Sequence, residues 1–139
     1  MRICLRVCLL FLFFLQSSYA DTFREVKNIT LKKDEQKKIF VKYGKYIRVF
    51  QMRWTLYTDG VLVVFHSYDR NVKQTLLTLK DKNNSFRLYL ISRGEDYINK
   101  TYLLVRFKEF DFQKQEAAFE LLLSDKNMQI ELEELKKIK

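Results

Sequence analysis

Tyr46 to Tyr68, YIRVFQMRWTLYTDGVLVVFHSY, is the stretch whose reading decides the fold. It has the pattern of a long β-hairpin turning at Asp59-Gly60, the dipeptide that most readily supplies the two positive φ angles of a type I′ turn. A two-residue loop sets Thr58 opposite Val61, and regular pairing then sets Leu56 opposite Val63, Trp54 opposite Phe65 and Met52 opposite Ser67. In that register Trp54, Leu56, Val63 and Phe65 share one face. Arg53, Thr55, Tyr57, Leu62, Val64 and His66 share the other, with Arg53 and His66 facing each other.

Working upstream, Gly44-Lys45 suits a type II′ turn joining a short strand, Ile39 to Tyr43, to the long hairpin. The apolar parity changes between Val49 and Phe50, which predicts a β-bulge there or a strand passing from one sheet to another. Thr22 to Leu31 reads as a first strand, in which Val26 breaks the parity of Phe23, Ile29 and Leu31. Lys32 to Lys38 is a charged connection.

Downstream, Asp69-Arg70-Asn71 is a turn, followed by a strand over Lys73 to Lys80 and a second turn at Asp81 to Asn84. Phe86, Leu88 and Leu90 alternate with Arg87, Tyr89 and Ile91, as in a half-buried strand. Ser92 to Thr101 is the longest irregular loop. In Tyr102 to Phe112 the parity of Leu103, Val105 and Phe107 gives way to that of Phe110 and Phe112, which predicts another bulge. A last hairpin is expected to pair Ala117–Ser124 with Asn127–Leu132 around Asp125-Lys126. A helix over Gln115 to Leu123 is its rival, since Glu, Ala and Leu favour helices, but nine residues make a short helix. The tail from Glu133 to Lys139 is expected to fray or form one helical turn. The whole is an all-β chain, an antiparallel β-sandwich or flattened barrel of roughly eight to nine strands.

Met1 to Ala20 has a basic start at Arg2 and Arg6, an apolar run from Val7 to Leu15, and small residues at Ser18 and Ala20. These are the parts of a signal peptide cleaved before Asp21. The apolar run is well short of the roughly 20 residues that span a bilayer. Residues 21–139 then form a single β-sandwich domain, long enough to build its own core. Both cysteines, Cys4 and Cys8, fall in the removable segment. An exported domain without disulfides fits the bacterial periplasm first and a secreted protein second. Loss of Arg2 and Arg6 takes the formal charge from +9 to +7. For an exported chain such a charge suits anionic lipid head groups, lipopolysaccharide or acidic proteins rather than nucleic acid. Lysine-rich faces also keep strand edges soluble, the plainer reading.

The sequence carries a single histidine and no G-x-S-x-G, phosphate-binding glycine loop or H-E-x-x-H. His66 and Ser67 are neighbours on a strand and point to opposite faces, so they cannot act as base and nucleophile. Neither Glu95 with Asp96 nor Glu109 with Asp111 has an apolar setting that would split their pKa values. Asp81 to Ser85 lacks the central glycine and terminal glutamate of a calcium loop. The same residues match the acceptor pattern of bacterial N-glycosylation, D/E-x-N-x-S/T, through Asp81, Asn83 and Ser85, so Asn83 is a candidate glycosylation site. Asn28 and Asn99 meet only the shorter N-x-T rule.

No catalytic residue, cofactor or metal site follows from these patterns, and the expected protein is not an enzyme. Aromatic and basic residues interleave at Tyr43, Tyr46, Arg53 and Tyr57, and again at Arg87 and Tyr89. Arg53, Tyr57, His66, Arg87 and Tyr89 are therefore the candidate partner-binding residues. The functional expectation is a binding or structural accessory of the bacterial cell envelope, contacting an envelope protein or an anionic envelope component. A part of a larger machine such as a flagellar motor or secretion apparatus is one form of it. The alternative is a small carrier or inhibitor holding an apolar or glycan ligand between its sheets.

Overall fold

The structure, a computed structural model, describes residues 23, 25–90, 101–124 and 130–134. The expected signal segment, residues 92–100 of the long loop, the Asp125-Lys126 turn and the end of the tail lie outside them. The described chain is all β. Its nine strands are β1 (Glu25–Lys32), β2 (Lys37–Tyr43), β3 (Tyr46–Thr58), β4 (Val61–Tyr68), β5 (Asn71–Thr78), β6 (Ser85–Tyr89), β7 (Tyr102–Asp111), β8 (Glu116–Ser124) and β9 (Ile130–Glu134). They form two antiparallel sheets, β1-β8-β7-β6 and β5-β4-β3-β2-β9.

The sheets are layered into a sandwich by side chains that alternate inward along each strand. Ile29 and Leu31 from β1, Leu103, Val105 and Phe107 from β7, and Phe119, Leu121 and Leu123 from β8 meet Phe50, Met52 and Trp54 from β3 and Leu62 and Val64 from β4. Trp54 is 1% exposed. Its indole Nε1 donates across the layers to the Leu31 carbonyl at 2.8 Å, and its ring lies edge-on to Phe110 at 5.4 Å. A buried indole needs such an acceptor, because an unpaired N–H in an apolar interior costs about 1–3 kcal/mol. At the other end of the sandwich the Tyr68 hydroxyl donates to the Leu90 carbonyl at 2.8 Å.

The Asp59-Gly60 turn forms as expected, with both residues at positive φ. The register beyond it is not the regular one. The β3–β4 ladder passes from Leu56↔Val63 directly to Trp54↔Val64, leaving Thr55 as an extra residue in a β-bulge. Trp54 therefore does not face Phe65, and Met52, not Arg53, lies opposite His66. One residue of slip changes the face of everything beyond it. Leu62, Val64, His66 and Tyr68 point into the core, whereas Leu56, Val63 and Phe65 join the outer face.

No bulge occurs between Val49 and Phe50, where the parity change predicts one. The β2–β3 ladder is continuous from Lys37↔Met52 to Tyr43↔Tyr46, so Ile47 and Val49 are simply outward-facing apolar residues. The second predicted bulge is present, with the β7–β8 register shifting between Phe107 and Glu109. It returns Phe110 to the core side, where it stacks on Tyr57 at 4.1 Å.

The last hairpin is the other correction. Residues 116–124 form a strand, but β8 is already flanked by β1 and β7. β9 instead joins the opposite sheet beside β2, with Val41 opposite Leu132 and Tyr43 opposite Ile130. Lysines secure it there. Lys37 and Lys27 reach Glu134 at 2.7 and 3.2 Å, and Lys42 pairs with Glu133. Lys27 belongs to β1, so this cluster also ties the two sheets along one edge. The hydrogen bond from Lys37, followed by the pull of Lys27, holds the Glu134 carboxyl below its ordinary pKa.

Candidate functional site

The five candidate partner-binding residues are not brought together. Arg53 stands exposed on the outer face of the five-stranded sheet, opposite Phe65, with its guanidinium 5.8 Å from that ring. Tyr57 lies on the inner side at the end of the sandwich, stacked on Phe110 and 6.1 Å from Phe107. Arg87 and Tyr89 lie on the outer face of the other sheet. There the Arg87 guanidinium sits 4.9 Å above Tyr102, and Tyr89 meets the same ring edge-on at 6.1 Å.

His66 is not on a presented face. It is 5% exposed, stacked on Phe86 at 4.1 Å, and its Nε2 shares a 3.0 Å hydrogen bond with Thr75 Oγ1. Burial, followed by the nearby Lys73 charge, lowers its pKa from 6.5 to about 4. A neutral imidazole with one polar partner and one ring neighbour is a core residue. Asn83 is exposed in the β5–β6 turn, and its carbonyl accepts the Thr78 N–H at 3.0 Å. Its side chain is accessible to modification, and the backbone bond explains the turn without it.

Among the described residues, no group of three His, Cys, Asp or Glu side chains could hold a metal ion. No helix among them is long and apolar enough to cross a membrane.

What the structure assembles instead is an apolar outer face on the five-stranded sheet. Cross-strand pairing places Leu56, Val63 and Leu76 in one row over β3, β4 and β5, and Arg53, Phe65 and Gln74 in the next. Leu56 is 48% exposed and Leu76 55% exposed. With Val63 half-buried between them, this aliphatic row is unusual for a sheet face that no second layer among the described residues covers. Sequence reasoning misses this row because Thr55 carries no mark of a bulge. On β4 the two parities, Val61-Val63-Phe65 and Leu62-Val64-His66, are about equally apolar, so neither identifies itself as the core side.

A second surface lies at the end of the same sheet where the β2–β3 and β4–β5 turns meet. A groove of about 350 Å³ runs between them, lined by Ile47, Arg48, Val49, Ser67, Asp69 and Arg70. Arg48 bridges the two hairpins by pairing with Asp69 at 3.2 Å and lies 5.9 Å from the Tyr68 ring.

Comparison of the chain with protein-family models, curated proteins and solved structures finds no match. The functional reading therefore rests on these surfaces.

Proposed function

We propose that this chain is a non-catalytic binding module of the bacterial cell envelope, exported to the periplasm with cleavage before Asp21. It docks a partner protein on the outer face of its five-stranded sheet. The observation that carries this reading is the solvent-facing row Leu56–Val63–Leu76, continued by Phe65 in the adjoining row. Exposed contiguous apolar surface of this kind is costly to keep in solution and is characteristic of interaction sites. Arg53 borders the row, so the complementary partner carries an apolar strip edged by carboxylates. The edge of β5, which no other described strand pairs, adjoins the same face and extends it for strand addition. Packed rings between the layers, Trp54 on Phe110 and His66 on Phe86, favour this reading over a carrier with its ligand between the sheets.

The test is crosslinking in intact cells followed by mass spectrometry, comparing wild type with Leu56→Asp and Leu76→Asp. Both positions are solvent-facing, so each variant should keep its thermal midpoint within a few degrees, as surface substitutions of about 0.5 kcal/mol or less do. Both should lose the crosslinked partner. Unaltered crosslinking in a double variant that remains folded rejects this face as the docking site.

A further inference from the structure

The two turns at one end of the five-stranded sheet differ from ordinary solubilising tips in three ways. They expose apolar side chains: Tyr46 is 68% exposed, Ile47 63% and Val72 73%. Pairing places Ile47 and Val72 on the same outer face, Ile47 opposite Lys42 and Val72 opposite Ser67, with Tyr46 at the tip opposite Tyr43. They also concentrate positive charge. Lys45 and Arg70 lie in the two turns and Arg48 and Lys73 on the strands beside them, with Asp69 paired to Arg48; Lys45, Arg70 and Lys73 are exposed, with no ion-pair partner among the described residues.

The third difference is conformational. The β4–β5 turn has Asp69 at φ 50° and Arg70 at φ 66°, a type I′ geometry whose second central position belongs by preference to glycine. The turn at the other end of β4 follows that preference with Gly60. A side chain in the left-handed region is disfavoured, yet this tip holds an arginine there. Local folding energetics would choose glycine.

We propose that this end of the sandwich docks onto an anionic bilayer surface. Tyr46, Ile47 and Val72 enter the interfacial region, and Lys45, Arg70 and Lys73 lie against the phosphate head groups. Tyrosine is at home at the headgroup level, with its ring in the acyl boundary and its hydroxyl in water. Peripheral binding of this kind combines buried apolar area with attraction of basic residues to anionic lipid. Neither contribution alone suffices. The surface is separate from the Leu56–Val63–Leu76 row, so this proposal stands or falls independently of the protein-docking reading.

The experiment is co-sedimentation of the full chain, as recovered from the expressing cell, with phosphatidylcholine vesicles that contain or lack about one-third phosphatidylglycerol. The anionic vesicles should take up more protein, and the difference should shrink as salt rises. Arg70→Gly is the decisive variant. It should raise the thermal midpoint, because it relieves the left-handed arginine, while lowering partitioning about fivefold, the loss of one surface cation. The triple variant Lys45→Gln, Arg70→Gly, Lys73→Gln should lose about a hundredfold. Ile47→Ser with Val72→Ser should weaken binding at low and high salt alike. Glycerophosphoglycerol at matched concentration should not displace the protein. Displacement by it would make the site one for a soluble phosphate ester and overturn the bilayer assignment. Equal uptake by the two vesicle types, or a triple variant that partitions like wild type, would overturn it as well.

Discussion

The two faces of the β3–β4 ladder are built from similar residues and do opposite things. Inward, Phe50, Met52, Trp54, Leu62 and Val64 are buried under the four-stranded sheet. Outward, Leu56, Val63 and Phe65 are equally apolar but have no second layer among the described residues above them. Only the inner face is rich in groups that need a specific partner: the Trp54 indole on the Leu31 carbonyl, the His66 ring on Phe86 and Thr75, and the Tyr68 hydroxyl on the Leu90 carbonyl. The outer face carries Leu56, Val63 and Phe65, bordered by Arg53. The difference teaches that apolar content does not identify the core of a strand with two apolar faces. The polar groups that demand partners do.

Three substitutions sharpen this contrast, taken here from the largest effect on stability to the smallest. Trp54→Ala should cost about 3–5 kcal/mol, combining lost burial, a cavity and an unpaired Leu31 carbonyl. Denaturant titration measures it, and partner association should fall only in step with the folded fraction. A midpoint close to wild type would mean that the inner face does not depend on its largest side chain.

The second concerns acid. The folded pKa of His66 lies near 4, below its ordinary 6.5. The unfolded chain therefore binds a proton that the folded one refuses between those values. Stability is fully present above pH 6.5 and declines as pH falls toward 4, by at most about 3 kcal/mol from this residue. His66→Phe, which keeps a ring against Phe86 and cannot titrate, should flatten that part of the stability profile. If the two profiles run parallel from pH 7 to 4, the imidazole is not excluded from charging in the way its surroundings imply.

The smallest effect on stability belongs to Arg53→Glu. Its side chain lies on the outer face over Phe65, so unfolding should shift by no more than about 0.5 kcal/mol. Association should nonetheless drop, most clearly at low salt, where an exposed cation acts at longest range. Pull-downs at low and high salt that match wild type in both conditions would reduce Arg53 to a solubilising role.

Much of the architecture was legible in the sequence. Alternation marked most strands, Asp59-Gly60 marked the central turn, and the change of parity between Phe107 and Phe110 marked a real bulge, because Phe110 had to be returned to the core side. The parity change at Val49–Phe50 had the same outward form and a different cause. Ile47 and Val49 are apolar residues left on the outer face, so no backbone irregularity was needed. Of the candidate partner residues, Arg53, Arg87 and Tyr89 do lie on outer faces, but on different sheets, while Tyr57 and His66 turn inward.

Read alone, the sequence determined that the described chain is all β, where the turns at Gly44-Lys45, Asp59-Gly60 and Asp69-Arg70 fall, and that it lacks the common catalytic signatures. These follow from local chemistry: side-chain alternation along a strand, the φ angles that Asp-Gly accepts, and the residue types a reaction requires. Only the tertiary structure decided which face of β3 and β4 became the core, because the extra residue at Thr55 is invisible to composition and a slip of one position exchanges the faces. It also decided where β9 went. Strand pairing requires an unoccupied edge, and β8 had none left to offer once β1 and β7 flanked it, whereas β2 had one and the lysines to hold Glu133 and Glu134 beside it. Edge availability is a property of the assembled sheets, and no single strand carries it in its own residues.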